Sequence, residues 1–247
     1  MRDKVILSVV CAVYNGSKVI AELLQSYANQ NHSNTELIII DGASSDNTLE
    51  IINSYGLASL VISEPDNGIF DAWNKAIYLC SGTYVAFIGA DDLIVYGSLQ
   101  HVVDACRNAP KSVHLIAGFN ILTRKRKPIQ ILGDVFDPSK LFYRMPIAHV
   151  MSAHSITWLK SIGGFDSSFR SAGDYELLLR ASKSLNIQTI PYILVYMEDG
   201  GASRKAILPH LEHWRARRKN GVGYLKAGIL LLKALIGSVL RQSGLRR

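Results

Sequence analysis

The stretch Ser81–Asp92, SGTYVAFIGADD, decides the fold. Its centre, Thr83–Ile88, is β-branched, aromatic and almost wholly apolar, which is typical of a strand covered on both faces in a parallel sheet. The small residues Gly89–Ala90 follow, and Asp91 and Asp92 close the stretch at the carboxyl end of the strand, where parallel sheets bind ligands. Two neighbouring carboxylates repel each other and therefore favour a hard cation, Mg²⁺ or Mn²⁺. Taken alone, a solvated turn explains the pair equally well.

Upstream of this stretch the sequence predicts three strand–helix units. Strands are expected at Val5–Val13, Glu36–Ile40 and Leu60–Ser63, and helices at Lys18–Gln30, Asn47–Tyr55 and Ile69–Leu79. This order, βαβαβαβ with short connections, predicts an α/β fold with a doubly wound, mostly parallel central sheet flanked by helices. The sequence contains neither a dinucleotide fingerprint nor a P-loop. Acids follow the strands instead, at Asp41, Asp66, Asp91 and Asp92.

The second half is less regular, and we predict that it completes the same domain. One domain is expected over residues 1–203, in two halves at 1–95 and 96–203, followed by a basic and apolar helical tail at 204–247. In the tail, Tyr224–Arg241 predicts an apolar helix with Lys226, Lys233 and Arg241 spaced about two turns apart. Such a helix suits a membrane interface with anionic headgroups, and the alternative is a helix docked on the domain's own core.

Composition limits the partners. The chain has 247 residues, 48% of them hydrophobic, and a net charge of +7 that is concentrated in Arg124–Lys127 and the tail. This indicates phosphate-bearing substrates or anionic lipid, and nucleic acid less, because the tail carries aliphatic rather than aromatic side chains. Cys11, Cys80 and Cys106 predict free thiols in a reducing cytoplasm. We expect no signal peptide, and no apolar run reaches the ~18–20 residues that span a bilayer.

Six segments between Val5 and Ser203 follow a characteristic order. They are VVCAVYNG (Val9–Gly16), IIIDGASSDNT (Ile38–Thr48), SEPDNGIFDAWNKAI (Ser63–Ile77), FIGADD (Phe87–Asp92), GGFDSSFRSAGDYELLLR (Gly163–Arg180) and DGGAS (Asp199–Ser203). In this order they resemble the motifs of the inverting nucleotide-sugar glycosyltransferases of family two, which have the GT-A fold. The bacterial branch that builds exopolysaccharide, capsule or O-antigen is the most similar.

The resemblance implies a nucleotide-sugar half at 1–95 and an acceptor half at 96–203. It places Asp41 at the nucleotide base, usually uracil, and makes Asp91 and Asp92 the ligands of Mg²⁺ or Mn²⁺. The first acid of the family's D-x-D motif is Gly89 here, so one ligand carboxylate is missing. The residues implied to bind the nucleotide sugar are Val13, Tyr14, Asn15, Asp41, Asp71, Lys75, Ala90 and Asp91.

The resemblance also implies a catalytic base at Asp174. In an inverting transfer, this carboxylate would take the proton of the acceptor hydroxyl as it attacks the anomeric carbon. The Glu that precedes this Asp in the family is Gly173 here, and Glu176 is the reserve candidate. A helix N-cap is the competing interpretation of Asp174. The positive charge that neutralises the leaving diphosphate would come from the metal and from Lys75 or Arg204.

The sequence therefore predicts a hexosyltransferase that moves sugar from a UDP-sugar to a saccharide or lipid-linked acceptor in the synthesis of cell-surface polysaccharide such as lipopolysaccharide. It would act in the cytoplasm, peripherally on the inner face of the cell membrane, with no nucleic-acid partner. One alternative is a sugar-phosphate nucleotidyltransferase, but the turn after the first strand, Tyr14–Ser17, is too short for its phosphate loop. The other is a catalytically silent relative that acts as a membrane-associated scaffold, which the missing acid at Gly89 supports.

Overall fold

The structure is a computed structural model that describes residues 4–30, 34–199 and 207–242. Its strands are β1 (Leu7–Val13), β2 (Thr35–Asp41), β3 (Leu60–Ser63), β4 (Tyr84–Gly89), β5 (Leu93–Ile94), β6 (Leu115–Arg124), β7 (Lys127–Leu132), β8 (Ala153–Ser155) and β9 (Ile187–Glu198). Its α-helices are α1 (Ile20–Ala28), α2 (Thr48–Tyr55), α3 (Ile69–Leu79), α4 (Ser98–Asn108), α5 (Ile156–Ser161), α6 (Gly173–Arg180), α7 (Leu208–Lys219) and α8 (Tyr224–Gln242). A 3₁₀ turn spans Pro138–Lys140.

The strands of the described residues form one sheet, flanked by helices. In the first half the order is β3-β2-β1-β4 and every pair is parallel, as the βαβαβαβ pattern predicts. Val13 pairs with Asp41, and Ala12 pairs with Gly89. The register therefore brings the carboxyl ends of three strands to one edge of the sheet. The predicted α/β fold class is confirmed.

Beyond β4 the sheet continues as β8-β6-β9-β5, in which β6 and β9 are parallel and the other pairs antiparallel, and β7 forms a hairpin with β6 around Arg124–Lys127. Strand β5 has only two residues and β8 only three, and the sequence pattern predicts neither. Each is a strand because a neighbour supplies its hydrogen bonds, β9 for β5, and β4 and β6 for β8. Such short elements depend on tertiary pairing rather than on local propensity.

Strand β4 separates two apolar cores, which explains its unbroken apolar sequence. Val85 and Phe87 point into a core built with α3, α5 and α6. Tyr84, Ala86 and Ile88 point into the other, which α1 and α4 cover. Successive side chains of a strand alternate between faces, so a strand that is buried on both faces needs apolar residues throughout.

Helices α7 and α8 form a hairpin on the second half of the domain. Helix α7 lies against α6 and buries Glu212, Ala216 and Arg217, so the first helix of the predicted tail packs on the domain. The turn to α8 passes through Gly221, whose φ of +85° suits a glycine. Within the described ranges, no helix is long and apolar enough to cross a bilayer. Arg204 and the Gly200–Ser203 part of the last motif lie outside the described residues.

Candidate active site

A pocket of about 390 Å³ opens at the carboxyl ends of the first three strands. Val13 and Tyr14, both predicted to bind the nucleotide sugar, line it where β1 ends. The Tyr14 side chain is 66% exposed and is therefore available to cover a ligand. The other lining residues are Ala12 of β1, Gly42 after β2, Pro65 and Asp66 after β3, and Gly68 and Ile69 at the start of α3.

Hydrogen bonds between two loops hold the floor of this pocket. The backbone nitrogen of Asn15, which has a φ of +49°, donates to Ser44 Oγ at 2.8 Å. The Asn15 side chain in turn accepts from the backbone nitrogen of Ser45 at 2.9 Å. Ala90 lies against the same turn, 3.7 Å from the position that a Cβ on Gly16 would take. The predicted residues Asn15 and Ala90 thus shape the turn after β1, and their contact with a nucleotide sugar stays a prediction.

Asp41 lies beneath this floor and is fully buried. Its carboxylate accepts hydrogen bonds from the backbone nitrogen and hydroxyl of Ser44, and from Ser63 Oγ at 2.7 Å. Protein donors therefore already surround Asp41, and a direct bond to a base stays a prediction. Asp66 lines the pocket itself, with Oδ1 bound to the Gly68 nitrogen and Oδ2 only 2.8 Å from where a Gly42 Cβ would be. In the sequence, Asp66 is identified as a candidate pocket residue by its position just after strand β3.

Asp71 and Lys75 brace the loop that leads into α3. Asp71 Oδ2 accepts from the backbone nitrogen of Asn67 at 2.9 Å. Lys75 Nζ lies 2.8 Å from Glu64 Oε1 and donates to the Pro65 carbonyl at 3.1 Å. The bond to Glu64 raises the Lys75 pKa. Both side chains hold the pocket wall, and their contact with a nucleotide sugar stays a prediction.

The carboxylates of Asp91 and Asp92 converge over Gly89. A methyl group on Gly89 would lie 2.9 Å from Asp92 Oδ2 and 3.0 Å from Asp91 Oδ1. Asp92 is buried and accepts from the Gly89 nitrogen at 3.0 Å, whereas Asp91 is partly exposed. A glycine suits position 89 because the carboxylates of Asp91 and Asp92 occupy the space that a side chain would need. The ligand missing from the D-x-D pattern has no room in this arrangement.

This pair fits a divalent cation. Burial and, second, the Asp91 charge together raise the pKa of Asp92 to about 8, so without a cation Asp92 keeps its proton at pH 7, and a divalent cation between the two carboxylates would favour the ionised form. Mg²⁺ is usually held by one or two carboxylates with substrate phosphates and water as its other ligands. In the described part of the chain no cluster of three or more His, Cys, Asp or Glu side chains could hold a metal. Asp91 and Asp92 would therefore hold the ion together with the substrate.

Asp174 stands in the first turn of α6, partly exposed, between two histidines. Burial lowers the pKa of both His149 and His213, to about 4 for His213, and the Asp174 charge opposes this in each case. Both rings are therefore neutral neighbours of the carboxylate at pH 7. The Asp174 side chain accepts a hydrogen bond from the next backbone nitrogen of its own helix, that of Tyr175, at 2.8 Å. It is not the N-cap, which is Ala172.

Glu176, the reserve candidate, faces the other way. It is fully buried, with Oε2 3.2 Å from Arg180 Nε and Oε1 3.1 Å from Lys219 Nζ. The pair with Arg180 lies within α6, and the pair with Lys219 connects α6 to α7. The structure thus gives Glu176 a place in the packing and leaves Asp174 as the more accessible carboxylate.

Helix α3 brings the pocket and Asp174 together. Its first residue, Ile69, lines the pocket, and the next, Phe70, packs so closely on Gly173 that a Cβ there would lie 2.8 Å from the ring. Asn74 holds the chain before α6, because it donates to the Phe165 carbonyl and accepts from the Phe165 nitrogen at 2.8 and 2.9 Å. The candidate base therefore lies beside the pocket wall.

Known proteins are similar to this chain in sequence and in fold. Residues 8–162 match the family model described as glycosyl transferase family 2. A PGL/p-HBAD biosynthesis glycosyltransferase of Mycobacterium bovis is 27% identical over 207 residues, which cover 81% of this chain and 80% of the relative. S. aureus TarS 1-349 in complex with UDP-GlcNAc superposes with a TM-score of 0.71 at 19% identity, covering 93% of this chain and 71% of TarS 1-349. The mannosyltransferase PcManGT from Pyrobaculum calidifontis, in complex with GDP-Man and Mn²⁺, gives 0.61 at 19% identity, covering 94% and 80%.

Proposed function

Because the chain belongs to glycosyl transferase family 2 and has the GT-A fold, we propose that it transfers a sugar from a nucleotide-diphosphate donor to a saccharide or lipid-linked acceptor. UDP-sugar is the proposed donor class, since a structural neighbour is described in complex with UDP-GlcNAc. The transfer proceeds with inversion at the anomeric carbon, and the product serves cell-surface polysaccharide synthesis, with lipopolysaccharide as one case. The proposed place of action is the cytoplasmic face of the cell membrane.

The observation that carries the proposal is the arrangement of acids around one pocket. The pocket is open beside Tyr14 and Asp66, and its β1 wall pairs through Ala12 with Gly89, over which Asp91 and Asp92 converge. A base and ribose in the pocket would leave the diphosphate near these two acids. The charge of a diphosphate there requires a cation.

Each charged group then has one task. Asp91 and Asp92 would hold Mg²⁺ or Mn²⁺, which neutralises the leaving diphosphate when bound. Mn²⁺ is described with one structural neighbour, PcManGT. Asp174 takes the proton of the acceptor hydroxyl as its oxygen attacks the anomeric carbon. Its partial exposure leaves it open to an acceptor, and the neutral rings of His149 and His213 leave its charge uncompensated.

Calorimetric titration of the protein with UDP, GDP and TDP, each with and without Mn²⁺ or Mg²⁺, tests the proposal. We expect binding of UDP that requires a divalent cation and is lost in Asp91→Ala. Metal-dependent binding of GDP or TDP instead would change the donor class and keep the reaction type.

Two other outcomes would move the function elsewhere. Absence of binding to any of the three nucleotides would favour the silent scaffold. Tight binding of a nucleoside triphosphate, with release of its pyrophosphate as the nucleotidyl group is transferred to a sugar phosphate, would favour the nucleotidyltransferase.

A further inference from the structure

Helix α8 exposes an apolar ridge along one face. Leu225, Ile229, Leu232 and Ile236 are 47–80% exposed and follow each other at intervals of four, three and four residues. This spacing aligns side chains along one side of an α-helix. Single exposed apolar residues need no explanation, but an ordered row of large ones marks a surface that binds something.

The ridge continues onto α7. Ile207, Leu208 and Leu211 are exposed large apolar residues at the start of that helix. The bond between His210 Nε2 and Ser238 Oγ, at 2.7 Å, places the start of α7 beside the end of α8. The start of α7 therefore lies beside the Ile236 end of the α8 row, and we call the two apolar groups together the α7–α8 ridge.

The hairpin that carries this ridge is strongly basic. Residues 207–242 contain seven lysines and arginines and one acid, Glu212, so the rest of the chain is close to neutral, with 20 basic and 19 acidic side chains. Glu212 is buried and bound to backbone nitrogens. Arg215, Arg217 and Arg218 contact carbonyl or hydroxyl oxygens and aromatic rings, so carboxylates do not neutralise them in the described structure. Arg217 is buried and Lys219 pairs with Asp166 and Glu176, whereas Arg215, Lys226 and Lys233 are exposed. These three exposed cations lie on the same two helices as the apolar surface.

We propose that the α7–α8 ridge and its cations dock the protein on an anionic lipid bilayer, with α8 lying in the interface. Apolar side chains would enter the acyl boundary while lysines and arginines meet headgroup phosphates. A second copy of the chain fits less well, because it would bring two basic hairpins together and like charges repel. The bilayer supplies both complementary properties at once.

Docking there would place the membrane beside the candidate base. The inner side of α7 holds the backbone of residues 170–172 through Glu212, and His213 packs on the ring of Tyr175, next to Asp174. The acceptor class that follows is a hydroxyl carried by a membrane lipid. This second step rests on the proposed transferase function, whereas the docking itself does not.

Co-sedimentation with vesicles tests the docking. We expect the full chain to bind vesicles of 30% phosphatidylglycerol in phosphatidylcholine, and pure phosphatidylcholine at least about tenfold more weakly. Leu225→Asn with Leu232→Asn should weaken binding about tenfold or more, since each side chain loses its apolar burial. Ile129→Asn with Ile131→Asn is the matched control, because these residues are 46% and 62% exposed on β7, away from the ridge, and should leave binding unchanged.

Three results would overturn the proposal. They are the absence of binding to anionic vesicles, an equal loss in the β7 control, and a dimer in solution that the ridge variant dissociates. Titration of the ridge variant with UDP and Mn²⁺ separates this proposal from the proposed function. Lost vesicle binding with intact nucleotide binding is the expected result, and vesicle binding in a protein that binds no nucleotide would contradict only the transferase and the acceptor class.

Discussion

Glu212 Oε2 lies 3.0 Å from the backbone nitrogen of Ala172, the N-cap residue of α6. The same carboxylate accepts from the backbone nitrogens of Arg170 and Ser171 at 2.9 and 2.7 Å. These three N–H groups lie immediately before the first turn of α6, so Glu212 holds the backbone that leads into the helix. An acid of α7 therefore fixes the segment that positions Asp174.

Replacing this acid should destabilise the protein and slow transfer. In Glu212→Gln the new amide group meets backbone donors, so at least one bond and the charge are lost. We expect a loss of about 2 kcal/mol in unfolding free energy, measured by urea denaturation. Turnover should fall while UDP affinity stays unchanged, because the nucleotide pocket is formed by other elements.

The matched control is Glu50→Gln, an exposed acid in the first turn of α2. It should change the unfolding free energy by less than about 0.5 kcal/mol. Equal effects of the two substitutions would show that Glu212 is an ordinary surface acid.

Substitutions of Asp174 and Glu176 should have different effects, the first on transfer activity and the second on stability. Asp174→Asn should reduce transfer about 100-fold or more with nucleotide binding retained, since the base is lost. Glu176→Gln should leave Arg180 and Lys219 without their buried partner and cost about 3 kcal/mol, with transfer per folded molecule largely kept. Transfer assays together with denaturation curves distinguish the two, and a fully active Asp174→Asn would remove Asp174 from the mechanism.

Gly89→Ala should disturb the acid pair without removing a charge. Its methyl group would lie within 3.0 Å of an oxygen of each carboxylate, so both must move. We expect about tenfold weaker binding of Mn²⁺ with UDP, by calorimetry. Gly228→Ala on α8 meets open space and serves as the control. Unchanged binding in Gly89→Ala would show that these carboxylates do not hold the ion.

The core histidines should make stability depend on pH. His154 is buried and bonded to His149 Nε2 at 3.0 Å, and burial lowers the pKa of both. In the unfolded chain they take up protons near pH 6.5, whereas in the folded chain they stay neutral. Unfolding free energy should therefore fall as the pH drops below about 6.5, by up to about 1.4 kcal/mol per pH unit for each histidine.

The variant His154→Gln checks this pH dependence. Denaturation at pH 7.5, 6.0 and 5.0 should show a smaller slope in the variant than in the wild-type protein, whatever its absolute stability. Equal slopes would mean that His154 is protonated in the folded state as well.

Local patterns were sufficient for the parallel half of the fold. Leu60–Ser63 and Ile69–Leu79 are predicted with the bounds that the structure has. The apolar run before Asp91 correctly indicates a strand buried on both faces. These features depend on periodicity and composition within about ten residues, which a sequence displays directly. The two short strands β5 and β8 are missed because distant strands supply their hydrogen bonds.

The sequence by itself determined the strands of the parallel half and the acids that follow them, because a strand's burial and its end depend on neighbouring residues. Only the tertiary structure decided what those acids contact. It showed Asp41 satisfied by Ser44 and Ser63, and the space at Gly89 filled by its own neighbours. It also placed Glu212, an acid 40 residues after Ala172, at the start of α6. Contacts between residues far apart in the chain depend on packing, and packing leaves no local pattern.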